Sequence, residues 1–271
     1  MGSYADLHPS PEMPIVGMMR LISLQSGSNG NCLYLEGRET SILIDAGISG
    51  KQAQLRLGEF GRDIRDASGV ILTHDHADHS RSAGIVQRKF GMDIWASPAT
   101  FETIAPRIGK VETHHAFRTT RSFRIGEFEI EPIATPHDAA DGCGFIIASH
   151  GKRLGILTDL GTCFDGLGDA IATLDAVVLE SNYDPGMLSR GPYPYYLKQR
   201  ITSPAGHISN AECGELLRDH GRKLQWAALG HLSGQNNTPD LARKTSREIV
   251  GDDLPLHVLS RDVAVGEIVI E

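Results

Sequence analysis

The stretch "LTHDHADHS" (72–80) places His74, His76, Asp78 and His79 within six residues. Imidazole nitrogens and carboxylate oxygens are donors that suit zinc, and manganese or iron accept the same set. The preceding run "GVILT" (69–73) is apolar and rich in β-branched residues, the pattern of a buried strand. Alternate residues of an extended chain project the same way. His74 and His76 can therefore meet one ion at the mouth of that strand, while Asp78 and His79 open a helix and face a second. A polar loop with Asp78 as a helix cap is the plainer reading of one histidine here. It does not account for three histidines and two aspartates, Asp75 included.

Other stretches could bind a substrate. "MLSRGPYPYYLKQRITS" (187–203) holds Arg190, Lys198 and Arg200 and no acidic residue, inside a chain of net charge −8. It also holds Tyr193, Tyr195 and Tyr196, half of the six tyrosines. Cations that follow a phosphate backbone, interleaved with rings that stack bases, suit a single strand, and a stacked base contributes ~1–3 kcal/mol. The plainer alternative is a short surface helix with solvated cations and a tyrosine or two turned inward. "SGSNGN" (26–31) reads first as a glycine-rich turn whose amides could cradle a phosphate. It lacks the lysine of a nucleotide-binding P-loop, which excludes an ATPase. Asn236 and Asn237 either bond phosphate or cap a helix from Thr238. In "TSPAGHISNAECGE" (202–215), His207 precedes a helix that Ser209 or Asn210 caps.

The elements that must position these residues are short. Strand-like runs at 20–25, 32–37 and 40–47 are separated by Gly/Ser/Asn turns. Helical patterns cover 50–61, 80–91 and 209–221. A hairpin with a His-Gly-Lys turn spans 144–159, and single strands cover 175–181 and 225–231. A strand-rich first half followed by alternating strands and helices fits two sheets packed face to face with helices outside. The 271 residues, 40% of them hydrophobic, can fill such a core. Residues 1–18, Pro-rich and aperiodic, read as a disordered leader or tag-like tail, and 19–271 as a single domain. No apolar run is long enough for a transmembrane helix. Four scattered cysteines without a C-x-x-C pair fit reduced thiols in the cytoplasm. The acidic balance argues against a broadly basic nucleic-acid surface but leaves room for a local one.

The H-x-H-x-D-H pattern at 74–79 resembles the metallo-β-lactamase superfamily, and the resemblance runs from about residue 19 to the end. It implies an α/β fold of four layers, αββα, with two mixed sheets. It also implies a dinuclear site. One ion would sit on His74, His76 and His137 of "ATPHDAA", and the other on Asp78, His79 and His231 of "AALGHLSGQNNTP". Asp159 of "GILTDLG" would bridge the two. Asp45, ending "SILIDAG", would steady the histidine loop, with Asp75 and Asp138 beside ligands in a similar role. No cysteine stands at a ligand position, which points away from thiolate-liganded β-lactamases. Two divalent ions, zinc or manganese with iron a third option, would lower the pKa of a water. Asp78 and Asp159 would orient that water and take its proton.

"SLQSGSNGNCLYL" (23–35), "ESNYDPGML" (180–188) and "HLSGQNNTPDLA" (231–242) resemble the YycJ/WalJ-like branch, whose members act on DNA from the 5′ end. "PHDAADGCGF" departs from that branch in one loop, where Asp-Gly replaces a Pro-containing turn. The expectation is a phosphodiester hydrolase, a 5′-to-3′ exonuclease with a nucleic acid partner and no membrane. It acts as a monomer or a homodimer. The alternatives are a small-molecule phosphodiesterase or thioesterase, and a ribonuclease. In the RNA-processing branch a similar His-Ser element contacts phosphate and protonates the leaving group. His207 would take that role, with Ser209 and Asn210 as phosphate donors.

Overall fold

Apolar runs broken by glycine turns build the first sheet. In the computed structural model, which describes residues 19–271, it opens with β1 (Met19–Gln25), β2 (Cys32–Glu36) and β3 (Ser41–Ile44). The expected leader lies outside the described residues. Then follow α1 (Gly50–Gly58), β4 (Gly69–Ile71), α2 (Ala77–Ser80), α3 (Ala83–Phe90), β5 (Asp93–Ala96), α4 (Pro98–Ile108) and β6 (His114–Ala116). The second sheet uses β7 (Phe123–Ile125), β8 (Phe128–Ala134), β9 (Cys143–Ser149), β10 (Lys152–Leu157), α5 (Leu167–Ala172) and β11 (Ala176–Glu180). The chain closes with α6 (Pro185–Arg190), α7 (Tyr195–Ile201), α8 (Asn210–His220), β12 (Trp226–Gly230), α9 (Pro239–Val250), β13 (Leu256–Val258) and β14 (Val265–Ile270).

The strand order is β14-β1-β2-β3-β4-β5-β6 in one sheet and β13-β12-β11-β10-β9-β8-β7 in the other. Both sheets are mixed: β3 to β6 run parallel in one and β10 to β13 in the other, while the remaining neighbours pair antiparallel. Leu35, Ile44, Phe128, Phe145, Ile156 and Val178 fill the layer between the sheets. A second apolar layer joins the outer face of the first sheet to α1, α3 and α4 through Leu57, Val86 and Ile104. A third joins the second sheet to α5, α8 and α9 through Ile171, Cys213 and Ala242. This is the expected αββα sandwich.

One local difference from the sequence reading bears on the site. The expected helix over 80–91 breaks after Ser80, because the Ser82 amide donates to Ala46 O at 2.9 Å and leaves the helical ladder. The break sets α2 apart as a short turn that carries Asp78 and His79. The closing strand β14 crosses back to pair antiparallel with β1.

Candidate metal centre

Each side chain of the centre stands where a strand ends. β3 stops at Ile44 before Asp45, β4 leads to His74, and β8 leads to His137. β10 leads to Asp159, β11 ends on Glu180, and β12 stops just before His231. The ends of both sheets meet there. Asp45, Asp159 and His231 adopt φ of 63°, 55° and 56°, a left-handed backbone that non-glycine residues rarely take. Such turns cost free energy and persist where surrounding structure imposes them. Here they aim a side chain across the sheet end instead of along the strand. Gly47 lets this happen: a Cβ there would lie 1.6 Å from Asp78 O.

The hydrogen bonds decide which nitrogen each ring turns inward. His79 Nδ1 donates to Asp45 Oδ2 at 2.7 Å, and His137 Nδ1 donates to Gly206 O at 2.8 Å. His76 Nε2 donates to Asp138 O at 3.1 Å. The Thr73 hydroxyl is 3.0 Å from Asp45 and donates to it, so it accepts from His74 Nδ1, also 3.0 Å away. His231 Nδ1 faces Glu180 Oε1 at 3.3 Å and Asp159 Oδ1 at 3.4 Å. His74, His76, His137 and His231 thus spend one nitrogen outward and keep the other pointing in, whereas His79 Nε2 meets the Asn31 side-chain amide at 2.9 Å. His76 Nδ1 and His137 Nε2, both bare, lie 3.3 Å apart. His74 Nε2, His231 Nε2 and Asp159 Oδ2 are buried with no hydrogen-bond partner.

Bare lone pairs converging in a buried space cost free energy unless a cation sits among them. The donors form groups of cation-binding size. His74, His76 and His137 make one, Asp78, His79 and His231 another, each with ligand atoms within 4.8 Å of one another. Asp159 reaches both, 3.6 Å from His137 Nε2 and 3.2 Å from His79 Nε2. The residues present fit divalent metal.

Electrostatics agree. Burial alone would lower His79, yet the carboxylates of Asp45, Asp159 and Asp78 raise it to about 9. His231 is also pushed well above its ordinary value despite burial, by Asp159, Asp78 and Glu180. Burial, reinforced by the neighbouring imidazoles, holds His74 well below. Burial raises Asp78 and Glu180, but the imidazoles around them outweigh it and hold both carboxyls well below the usual range. The centre is a concentration of carboxylate charge that waits for positive charge.

Residues 40–227 match the family described as the beta-lactamase superfamily domain. Exodeoxyribonuclease WalJ of Streptococcus pneumoniae serotype 2 is 35% identical over 227 residues, covering 82% of this chain and 84% of that protein. Exodeoxyribonuclease YycJ of Bacillus anthracis is 32% identical over 235 residues, covering 84% and 87%. The chain belongs to the β-lactamase superfamily, in the family of WalJ and YycJ. The crystal structure of the metallo-beta-lactamase fold protein YhfI from Bacillus subtilis shares the fold. It has a TM-score of 0.71 at 17% identity and covers 92% of this chain and 99% of that one. This superfamily member is a metal-dependent hydrolase.

Around the centre lies a cleft of about 290 Å³. His207 lines it, with ring centroids 5.1 Å from His137 and 5.3 Å from His231. Its Nδ1 lies 2.7 Å from Glu180 Oε1, which leaves Nε2 for the cleft. Asp138 accepts from Arg200 Nε at 2.7 Å, and Arg200 also lines the cleft. Asp75 accepts from the Ala140 amide at 2.8 Å, which ties the histidine loop to the His137 loop. Lys198 and Tyr195 line a separate groove of about 440 Å³, floored by Tyr183 and Leu188. Arg190 ends α6 in solvent, outside both.

Five expected substrate contacts are corrected. Ser209 caps α8: its hydroxyl accepts from the Glu212 amide, and the Glu212 carboxylate accepts from the Ser209 amide, closing a capping box. Asn210 is buried, accepting from the Ser181 hydroxyl at 2.6 Å and bonding Asn237. Asn237 is buried as well and donates to Ser181 O and Asn182 O. Asn236 is fully buried against Ser233. Tyr193 packs inward on Tyr183, Leu188 and Ile201. None of these offers a polar atom to the cleft.

Two cleft residues escaped the sequence reading. Glu180 is fully buried beneath His207 and His231. Its signal was a strand ending in an acid, as with Asp45 and Asp159. Arg107, at the end of α4, lines the cleft together with Arg200 and donates to Asp75 O at 2.9 Å. The helix start was signalled by Ser97 followed by Pro98, but Pro106 hides how far it runs.

Proposed function

We propose that the chain is a dinuclear nuclease that removes nucleotides from the 5′ end of DNA. The observation that carries it is the convergence of donor atoms from His74, His76, His79, His137, His231, Asp78 and Asp159, with His74 Nε2, His231 Nε2 and Asp159 Oδ2 buried and unpartnered. The names of WalJ and YycJ as exodeoxyribonucleases supply the substrate class. One divalent ion is assigned to His74, His76 and His137, and a second to Asp78, His79 and His231, with Asp159 shared. Zinc and manganese suit these donors, with iron a third option. When bound, the ions lower the pKa of a water and neutralise charge on the scissile phosphate.

The protein's own groups do the rest. Asp78 and Asp159 orient the attacking water and accept its proton. Asp45 keeps the His79 ring turned, the Asp138 carbonyl does the same for His76, and Asp75 ties the two histidine loops together. His207, with Nδ1 held by Glu180, presents Nε2 as proton donor to the leaving oxygen. Arg200 and Arg107 both line the cleft and serve as phosphate contacts. The groove beside Tyr195, with Lys198 at its edge, takes a base of the strand. Neither a small-molecule diesterase, a thioesterase nor a ribonuclease is favoured by the relatives.

The test is digestion of end-labelled single-stranded DNA with a 5′ phosphate, supplied with manganese or zinc. Nucleotides leave from the labelled 5′ end, and His76→Ala and Asp78→Ala are inactive. Cleavage that survives in either variant after chelation overturns the assignment.

A further inference from the structure

A cavity of about 440 Å³ lies on the far side of the Ser26–Asn31 turn from the metal centre. Ser28 opens on the metal cleft and Asn29 on this cavity, so a single peptide separates the two walls. Three arginines line it: Arg56, Arg81 and Arg261. All their hydrogen bonds go to neutral oxygens. Arg56 is buried and donates to Leu24 O, Gln25 Oε1 and Asp262 O. Arg81 is exposed and donates to Asn29 O, while Arg261 donates to Ser28 Oγ and Leu232 O. One carboxylate, Asp262, shares the lining. Three cations against one lining carboxylate, in a chain of net charge −8, is a local excess of positive charge, eased at Arg56 by Glu59 and Asp262.

The cations are also fixed in place. A Cβ on Gly27 would lie 2.7 Å from Arg261 Cγ, and one on Gly234 would lie 2.6 Å from its Nη2. Two glycines thus make room for the Arg261 side chain. Burial draws the Arg56 pKa below its ordinary value, and Glu59 and Asp262 offset that only in part. The first turn of α1 faces the same space through Ser49 and Gln52, and a helix start favours an anion.

We infer that this cavity binds a phosphate group of the nucleic-acid strand, one loop away from the bond being cut. The inference rests on the nuclease reading for its ligand and on the arginine cavity for its place. Guanidinium groups suit phosphate through paired N–H donors. The phosphate comes from one of two sources: the 5′ terminus, or the backbone of the strand still attached.

Arg81 is the residue to change, because it is exposed and its removal opens no core. Arg81→Glu raises the KM for single-stranded DNA by about tenfold, with kcat within about twofold, and Arg81→Lys restores it. The slope of log KM against log salt falls by about 0.7 for each lost phosphate contact. A merely structural role would not move that slope. Arg261→Gln shifts KM the same way, with circular dichroism confirming the fold. If the 5′ terminus is the ligand, the variants lose the preference for a 5′ phosphate over a 5′ hydroxyl. If the backbone is the ligand, both strands weaken alike. Unchanged KM and salt slope in folded Arg81→Glu overturn the site. Titration with inorganic phosphate separates this inference from the nuclease reading. A site lost in Arg81→Glu, in a protein that does not cut DNA, keeps the anion site and removes the nuclease. Equal phosphate binding in wild type and variant removes the anion site.

Discussion

Glu180→Gln tests whether His207 works as a proton donor. Glu180 is buried and accepts from the Leu160 amide at 2.8 Å, from His207 Nδ1 at 2.7 Å and, more weakly, from His231 Nδ1 at 3.3 Å. Glutamine keeps the shape and one acceptor but not the charge. Whichever way the amide turns, one donor loses its acceptor and meets an N–H. The Leu160 amide cannot move without β10, so His207 is the partner that gives way. A hydrogen bond to a charged group is worth about 1.5–3 kcal/mol. At 1.36 kcal/mol per tenfold, the variant loses roughly 10- to 150-fold in kcat. The assay compares DNA, whose leaving alkoxide needs a proton, with a p-nitrophenyl phosphodiester, whose leaving phenolate does not. The loss falls mainly on DNA, and His207→Ala added to Glu180→Gln costs little more than either alone. Metal content by mass spectrometry stays at the wild-type value. Equal loss on both substrates with full metal refutes the proton-donor role. Loss of metal shows instead that Glu180 acts through His231, 3.3 Å from the same oxygen.

Three further outcomes follow from the geometry. Ser209→Ala removes the α8 cap and costs about 1 kcal/mol in chemical denaturation, while the cleavage rate of the folded protein holds; a rate loss beyond tenfold would return Ser209 to the substrate. Gly47→Ala pushes a methyl into Asp78 O and displaces that ligand, so the purified protein carries less metal, measured by mass spectrometry; full loading would contradict the packing. In chelated protein, His79 is raised to about 9, so its contribution is complete below its unfolded pKa near 6.5 and fades as pH rises through about 9. The thermal midpoint of the metal-free form should fall across that window, and Asp45→Asn should flatten the fall.

How much of the site was legible depended on whether chemistry was written locally. The histidine loop carries four donors in six residues, and no other role explains them. Asp159 and His231 were found through resemblance, because each stands alone after an apolar strand and its left-handed turn leaves no mark in the composition. Glu180 ends the run "AVVLE", where one acid after four apolar residues reads as the strand meeting solvent, yet it is fully buried. Its charge is tolerable only because His207 and His231 arrive from sequence positions 27 and 51 residues away. The Ser209 correction runs the other way. Ser209 and Glu212 already spell a capping box, and that local reading outranks a phosphate contact because the same hydroxyl cannot serve both.

The segment from Arg200 to His207 shows why these residues act together. The His207 amide donates to Ile201 O at 3.0 Å, folding the segment back on the end of α7. Gly206 O accepts from His137 at 2.8 Å, and Ala205 O accepts from the Asp138 amide at 3.1 Å. Arg200 closes the same circuit on the Asp138 carboxylate. His137, Arg200 and His207, the proposed metal ligand, phosphate contact and proton donor, are therefore fastened to a single loop pair. A Cβ on Gly206 would lie 2.2 Å from Ile201 O, so the fold-back requires glycine there. Under the proposed roles, substrate position and proton delivery are linked through these hydrogen bonds, so Tyr195→Ala in the groove is expected to change kcat as well as KM, and a change in KM alone would argue against the link.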